Sequence, residues 1–169
     1  MKTIALIFAA FTSIASAQWN NLWPGDAPAA KPQPAGSETN KDDIDKQSCR
    51  SDFAILIYLV ISMSPPLTHS GSRKHLLGEN PSAEAVDKLS TAKAVTKDTP
   101  PIFLLTTADD FVDCRNSLEF ATACKAHKVP VSLHLFESGG HGYGLHGKGD
   151  LATWPLLLEQ WLARKFPKP

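Results

Sequence analysis

The sequence predicts an α/β fold with a parallel sheet of about three strands and flanking helices, and three observations carry that reading. Apolar runs of strand length stand at residues 53–61, 102–106 and 131–136. Helical patterns lie between and after them, ending in a long amphipathic stretch from residue 154. Strands that alternate with helices imply right-handed crossovers, and crossovers give parallel neighbours.

Taken in order, the chain opens on Lys2, an apolar run at residues 4–14 and Ala15-Ser16-Ala17. A positive start, an apolar core and a small-x-small site read as a secretory signal peptide over residues 1–17. The run falls short of the roughly 20 residues that a membrane span needs. No cysteine follows the cleavage site, so a lipid anchor is not indicated. The expected location is therefore extracellular or periplasmic. Residues 18–47 are rich in Pro, Ala, Gly, Lys and Asp, with few apolar residues after Leu22-Trp23. That composition reads as an extended arm, which leaves residues 48–169 for the folded domain.

Within that domain, the nearly unbroken Ile, Leu and Val of residues 53–61 suit a strand covered on both faces, whose side chains need no polar alternation. Pro65, Pro66, Gly71 and Gly78 then predict a long irregular excursion, with a short helix at 82–89. Past Pro100-Pro101 the pattern becomes regular. Residues 102–106 form a second buried strand, 116–127 a helix with Leu118, Ala121 and Cys124 three apart on one face, and 131–136 a third strand. Trp154, Leu157, Leu158, Trp161 and Leu162 recur at helical spacing, as on a helix docked against a sheet. Pro155 is tolerated because first-turn amides have no helical acceptor.

Composition narrows the function. Seventeen basic residues balance 17 acidic ones. A neutral chain with no basic cluster offers no electrostatic footprint for nucleic acid and no polybasic helix for an anionic membrane. The three cysteines, at 49, 114 and 124, leave at least one thiol unpaired, and the pattern does not choose which. Cys124 is expected in the core.

Two segments carry chemistry. Thr107-Ala108-Asp109-Asp110-Phe111-Val112 follows the second strand, and Glu137-Ser138-Gly139-Gly140-His141-Gly142-Tyr143-Gly144 follows the third. Functional groups of open α/β sheets gather at the carboxyl ends of strands. A carboxylate there orients an imidazole and stabilises its charged form, and the imidazole moves a nucleophile's proton. The order Asp then His is that of Ser-His-Asp hydrolases whose nucleophile lies upstream. Glycines around His141 let the backbone turn sharply, and Tyr143 is expected beside the imidazole. Alone, an Asp-Asp after a strand is more often a turn or cap; the joint pattern favours Asp110 and His141 as the catalytic pair, with Asp109 capping the turn. A metal site from His134, His141 and His146 is a weaker alternative, since the spacing matches no helical zinc motif. The glycines make no phosphate loop, and no cofactor is expected. The nucleophile is missing, because no serine in the chain occupies a G-x-S-x-G turn.

From Ser51-Asp52-Phe53-Ala54-Ile55-Leu56-Ile57-Tyr58, through Leu67-Thr68-His69-Ser70-Gly71-Ser72-Arg73-Lys74 and Leu76-Leu77-Gly78-Glu79-Asn80-Pro81-Ser82, to the Asp109-Asp110 and Gly139–Gly144 segments, the chain resembles secreted α/β-hydrolases. The similar group is that of acetyl-xylan esterases and xylanase B, near the dienelactone hydrolase and prolyl-oligopeptidase-like esterases. Leu22-Trp23-Pro24-Gly25-Asp26-Ala27-Pro28 resembles the start of the mature enzymes. The likeness covers about residues 48–166 and implies the C-terminal half of an α/β-hydrolase fold. It also implies hydrolysis of esters, on acetylated polysaccharide or small molecules. The family's middle segment, with the first strands, the oxyanion loop and the serine, has no counterpart here. Asp113-Cys114 also departs from the Val-Pro common in relatives. Without the serine no acyl-enzyme forms, and without the oxyanion donors the largest electrostatic contribution is lost.

A second reading, from another class, is a secreted non-catalytic module that binds sugar or protein through loops carrying Trp19, Trp23, His69 and His75. One structural expectation accompanies both. Loss of the strand before residues 53–61 should leave an edge exposing Ile55, Leu56, Ile57, Leu59, Val60 and Ile61, a template for self-association.

Overall fold

The computed structural model describes residues 5–7 and 51–167. The cleavage site, the arm, its tryptophans and Cys49 lie outside the described residues. A parallel sheet of four strands runs in the order β1 (Ala5–Ile7), β2 (Ala54–Ile57), β3 (Ile102–Thr107) and β4 (Val131–Phe136). The three strands expected from the sequence are all present. The short fourth comes from the stretch read as a leader.

Strand β3 is central, and all six of its residues are buried. Its side chains alternate between two layers because successive residues of a strand point to opposite faces. Phe103 and Leu105 join Ile55, Ile57, Trp154 and Trp161 on one side. Ile102 and Leu104 join Leu56, Phe120, Cys124 and Val129 on the other. Each such side chain, taken fully out of water, contributes on the order of 1.5–3 kcal/mol. Helix α3 (Arg115–Ala126) covers the second face, and α4 (Trp154–Lys165) the first. Pro155 sits in the first turn of α4, as expected.

Several expectations need correction. Strand β2 is four residues long rather than nine, because Tyr58 takes φ +44° and turns the chain out of the ladder after its N–H donates to Leu105 O at 2.8 Å. Of the apolar residues that follow, Ile61 is buried and Leu59 and Val60 are half-buried, and none is part of a strand. Asn116 replaces the ladder there: its Oδ1 accepts from Ile61 N and Ser62 N at 2.9 and 2.8 Å, and its Nδ2 donates to Leu67 O and Asp113 O at 2.8 and 3.0 Å. The buried face of α3 runs through Ser117, Phe120 and Cys124, which turns Leu118 outward, 41% exposed.

The edge expectation fails for side chains. Ile55, Leu56, Ile57 and Ile61 are buried and Leu59 and Val60 half-buried, since side chains stand perpendicular to a sheet and the helical layers cover both faces. A missing neighbour unpairs backbone, and on β2 that backbone pairs with β1 in the register Ala5 to Ala54.

The excursion is also more ordered than its prolines and glycines suggest. Helix α1 (Ser70–Leu77) precedes α2 (Ala83–Leu89), and only α2 was expected. The ring of His69 caps α1 by accepting from Ser72 N, a capping role usually taken by Ser, Thr, Asp or Asn.

Candidate active site

Asp110 follows β3 by three residues and His141 follows β4 by five, so both loops leave the sheet at its carboxyl end. The structure brings the two together. His141 Nδ1 lies 2.9 Å from Asp110 Oδ2 and 3.1 Å from Oδ1. Both side chains are sheltered, that of Asp110 completely and that of His141 to 9% exposure. Asp110 Oδ1 also accepts from Val112 N at 2.8 Å, which fixes the carboxylate on its own loop. An ionised carboxylate only accepts, so the shared proton belongs on Nδ1 and leaves Nε2 as the basic nitrogen.

Asp109 does something other than cap its own turn. Its carboxylate spans to the next loop, accepting from Gly139 N at 3.1 Å and Gly140 N at 2.8 Å. Those two amides, Gly140 first, hold its carboxyl below the usual carboxylate range. Thr107 Oγ1 donates to Gly140 O at 2.8 Å. Three bonds thus pin the two residues that precede His141. Glycine is needed at both: Gly140 has φ +63°, and a side chain on Gly139 would run into Leu151 and Thr107.

Aromatic rings enclose the imidazole. Tyr58 lies 4.5 Å from it and Phe111 4.6 Å, centroid to centroid. The positive φ of Tyr58 therefore both ends β2 and sets the ring beside His141. Tyr143, expected against the imidazole, instead meets Tyr58 edge-on at 4.9 Å. Burial pushes both phenols up, more so at Tyr143, so neither ionises near neutral pH. The sequence signals for Tyr58 and Phe111 were weak: each adjoins a recognised element, but neither belongs to a motif.

A cleft of about 220 Å³ adjoins the site. His141, Phe111, Tyr58 and Met63 line it from the sheet side, and His69, Ser72 and His75 from α1. His69 and His75, expected on loops, are thus held by a helix. Ser72 Oγ is 2.9 Å from His69 Nδ1.

The other candidate groups do not assemble. His134 stacks on Phe103 at 4.7 Å and pairs with Ser132 Oγ at 3.0 Å, and His146 is exposed. Neither lines the cleft, so the three histidines do not converge on one ion. Among the described residues no group of three or more His, Cys, Asp or Glu is placed to hold a metal. Cys114 and Cys124 are free thiols. Asp113 pairs with Arg115, whose guanidinium holds the carboxyl low.

Residues 61–168 match the model of the prolyl oligopeptidase family, and the chain belongs to that family. It is 40% identical over 123 residues to endo-1,4-beta-xylanase B of Butyrivibrio fibrisolvens, covering 70% of this chain and 19% of that protein. It is 31% identical over 118 residues to the acetylxylan esterase of Xylanibacter ruminicola, covering 67% of this chain and 23% of the esterase. Among solved structures, the acetyl ester-xyloside bifunctional hydrolase of Caldicellulosiruptor lactoaceticus is 43% identical, with a TM-score of 0.71 over 78% of this chain and 48% of its own. The chain thus spans about a fifth to a quarter of its curated relatives and about half of this solved one. The fold is a partial α/β-hydrolase.

Proposed function

We propose that this member of the prolyl oligopeptidase family carries the acid–base half of a secreted serine esterase for acetylated polysaccharide or small esters, and lacks the nucleophile. The observation that carries the reading is the His141–Asp110 pair at 2.9 Å, with the carboxylate fully buried and the ring open to an aromatic-walled cleft. Supplied with a serine, Nε2 would take the hydroxyl proton as the oxygen attacks the ester carbon, then return it to the departing alcohol. Asp110 would stabilise the imidazolium between those steps. Water would repeat the sequence to release the acid. The ester substrates are inferred from the esterase and xylan-degrading relatives.

Ser72 is the serine lining the cleft, and its hydroxyl is engaged with the ring that caps α1. The chain alone should therefore show no turnover of an activated acetyl ester above background. Turnover abolished by His141→Ala would overturn the missing nucleophile, and turnover abolished by Ser72→Ala would identify its replacement.

Export belongs to the same reading. Cleavage after Ala17 would remove β1 and free the backbone edge of β2, through which the mature chain would then self-associate. Intact mass of secreted material starting at Gln18, with its oligomeric state, tests this; a retained Lys2 peptide refutes it.

A further inference from the structure

Helix α1 is not explained by packing, since none of its eight residues is buried. Its C-terminal end and its middle are nevertheless fixed. Gly78 N donates to Lys74 O at 2.8 Å, and Arg73 Nε donates to Met63 O at 3.1 Å. His69, Ser72 and His75, at the cap and along the helix, then line the cleft that holds His141.

Local hydrogen bonds set the two imidazoles oppositely. His69 Nδ1 accepts from Ser72 N at 3.3 Å, so in the neutral ring the proton sits on Nε2, which is a donor. His75 Nδ1 lies 2.7 Å from Gly71 O, and a carbonyl only accepts. The proton of His75 therefore sits on Nδ1 and leaves Nε2 as an acceptor. Phe111 stands between the two ends of the cleft, 5.2 Å from the His69 ring and 4.6 Å from His141. It remains 64% exposed, an uncovered aromatic face beside the base.

Resting on the esterase reading above and on its acetylated-sugar substrate, we infer that α1 is the wall that recognises the alcohol side of the ester. Sugar hydroxyls both donate and accept, so a sugar can use the His69 Nε2–H donor and the His75 Nε2 acceptor offered by one wall of the cleft. The C–H face of a pyranose stacks on an exposed aromatic ring such as Phe111. An acetyl methyl has no use for a donor and an acceptor, so this wall does not suit the acyl group. Capping of α1 does not account for the arrangement either, because it engages Nδ1 of His69 and leaves His75 out.

Xylobiose titrated into the full chain with labelled histidine rings tests the wall without any turnover. Ring resonances of His69 and His75 should shift with xylobiose and stay fixed with sodium acetate. His69→Asn keeps a good capping residue while removing Nε2, and His75→Phe keeps a ring without an acceptor. Each should weaken xylobiose binding about tenfold, with helix content by circular dichroism unchanged. Rings that do not move, rings that respond equally to acetate, or variants that bind as tightly as the parent would overturn the wall. A chain that binds xylobiose yet gains no activity when the missing half is supplied would keep the wall and lose the esterase reading. Restored esterase activity with no xylobiose response would do the reverse.

Discussion

The carboxyl ends of β3 and β4 and the region that follows β2 solve the same problem by opposite means. Beyond β3 and β4, Thr107, Asp109 and Asp110 reach across to Gly139, Gly140 and His141, so two adjacent strands and their loops form a closed unit. Beyond β2, the ladder stops at Tyr58 and the chain from Ile61 to Leu67 hangs chiefly on the side chain of Asn116, helped by Ser90 Oγ, which accepts from Met63 N, and by Thr91 N, which donates to Ile61 O. The difference shows how the Asp110–His141 pair keeps its geometry while the chain beyond β2 is held by other means. Everything that positions His141 belongs to its own loop, to the loop beside it, or to one tyrosine.

The comparison breaks most severely at Asn116. Asn116→Ala orphans two buried amides and the Leu67 carbonyl, and unsatisfied buried groups cost about 1–3 kcal/mol each. A loss on the order of 3 kcal/mol in urea unfolding is expected. Hydrogen exchange should rise first in residues 61–77. Equal loss of protection at β4 would show that the two regions are one cooperative unit.

A smaller effect is expected on the other side, at Gly139. Gly139→Ala must displace Leu151 or bend the loop, and strained backbone costs of order 1–3 kcal/mol. Thermal unfolding should fall accordingly. Because the Asp109 and Thr107 contacts lie at this point, the His141 ring signals should broaden or shift, while those of His69 stay put.

Asp109 gives a test in pH. Its carboxyl titrates lower in the folded chain than its ordinary 3.8, so the unfolded state binds the proton first as pH falls. The clamp thus contributes stability above about pH 4 and loses it as pH drops through the lowered folded value. Asp109→Asn should flatten the acid limb of stability below pH 4 and leave the neutral range nearly level. An unchanged acid limb would mean that the carboxylate does not hold the loop.

The smallest effect should come from His134. Burial, helped by Arg164, lowers its pKa below the ordinary 6.5. The unfolded chain is protonated first on acidification, so stability should decline as pH falls from 6.5 toward the lowered folded value. His134→Phe, which preserves stacking on Phe103, should remove that slope. Since β4 is the outer strand, the change should not reach His141.

Where the sequence was readable, local pattern and tertiary environment agreed. The alternation at 131–136 and the helical spacing of the tryptophans in α4 each carried one periodicity, the short run at 102–106 carried strand length between clear breakers, and each became the element it suggested. The apolar run at 53–61 carried no periodicity. Hydrophobicity there reports burial alone, and the left-handed turn at Tyr58 has no sequence mark. Helix α1 was hidden because it is short, begins among Pro65, Pro66 and Gly71, and buries no residue, so it has no apolar stripe. Asp110 and His141 were readable as strand-end groups, and their meeting follows from β3 and β4 being neighbours. The rings of Tyr58 and Phe111 were not, because their place depends on backbone turns and rotamers.

The most direct measurement of the central claim is acetyl-ester turnover by this chain mixed with the half of the Caldicellulosiruptor lactoaceticus hydrolase that it does not cover. The account predicts no turnover from either piece alone and measurable turnover from the mixture. That activity should vanish in His141→Ala and fall by about 10⁴ in Asp110→Asn, as expected where a carboxylate fixes the tautomer of a catalytic imidazole. Association of the two pieces without turnover, or turnover indifferent to His141, would contradict it.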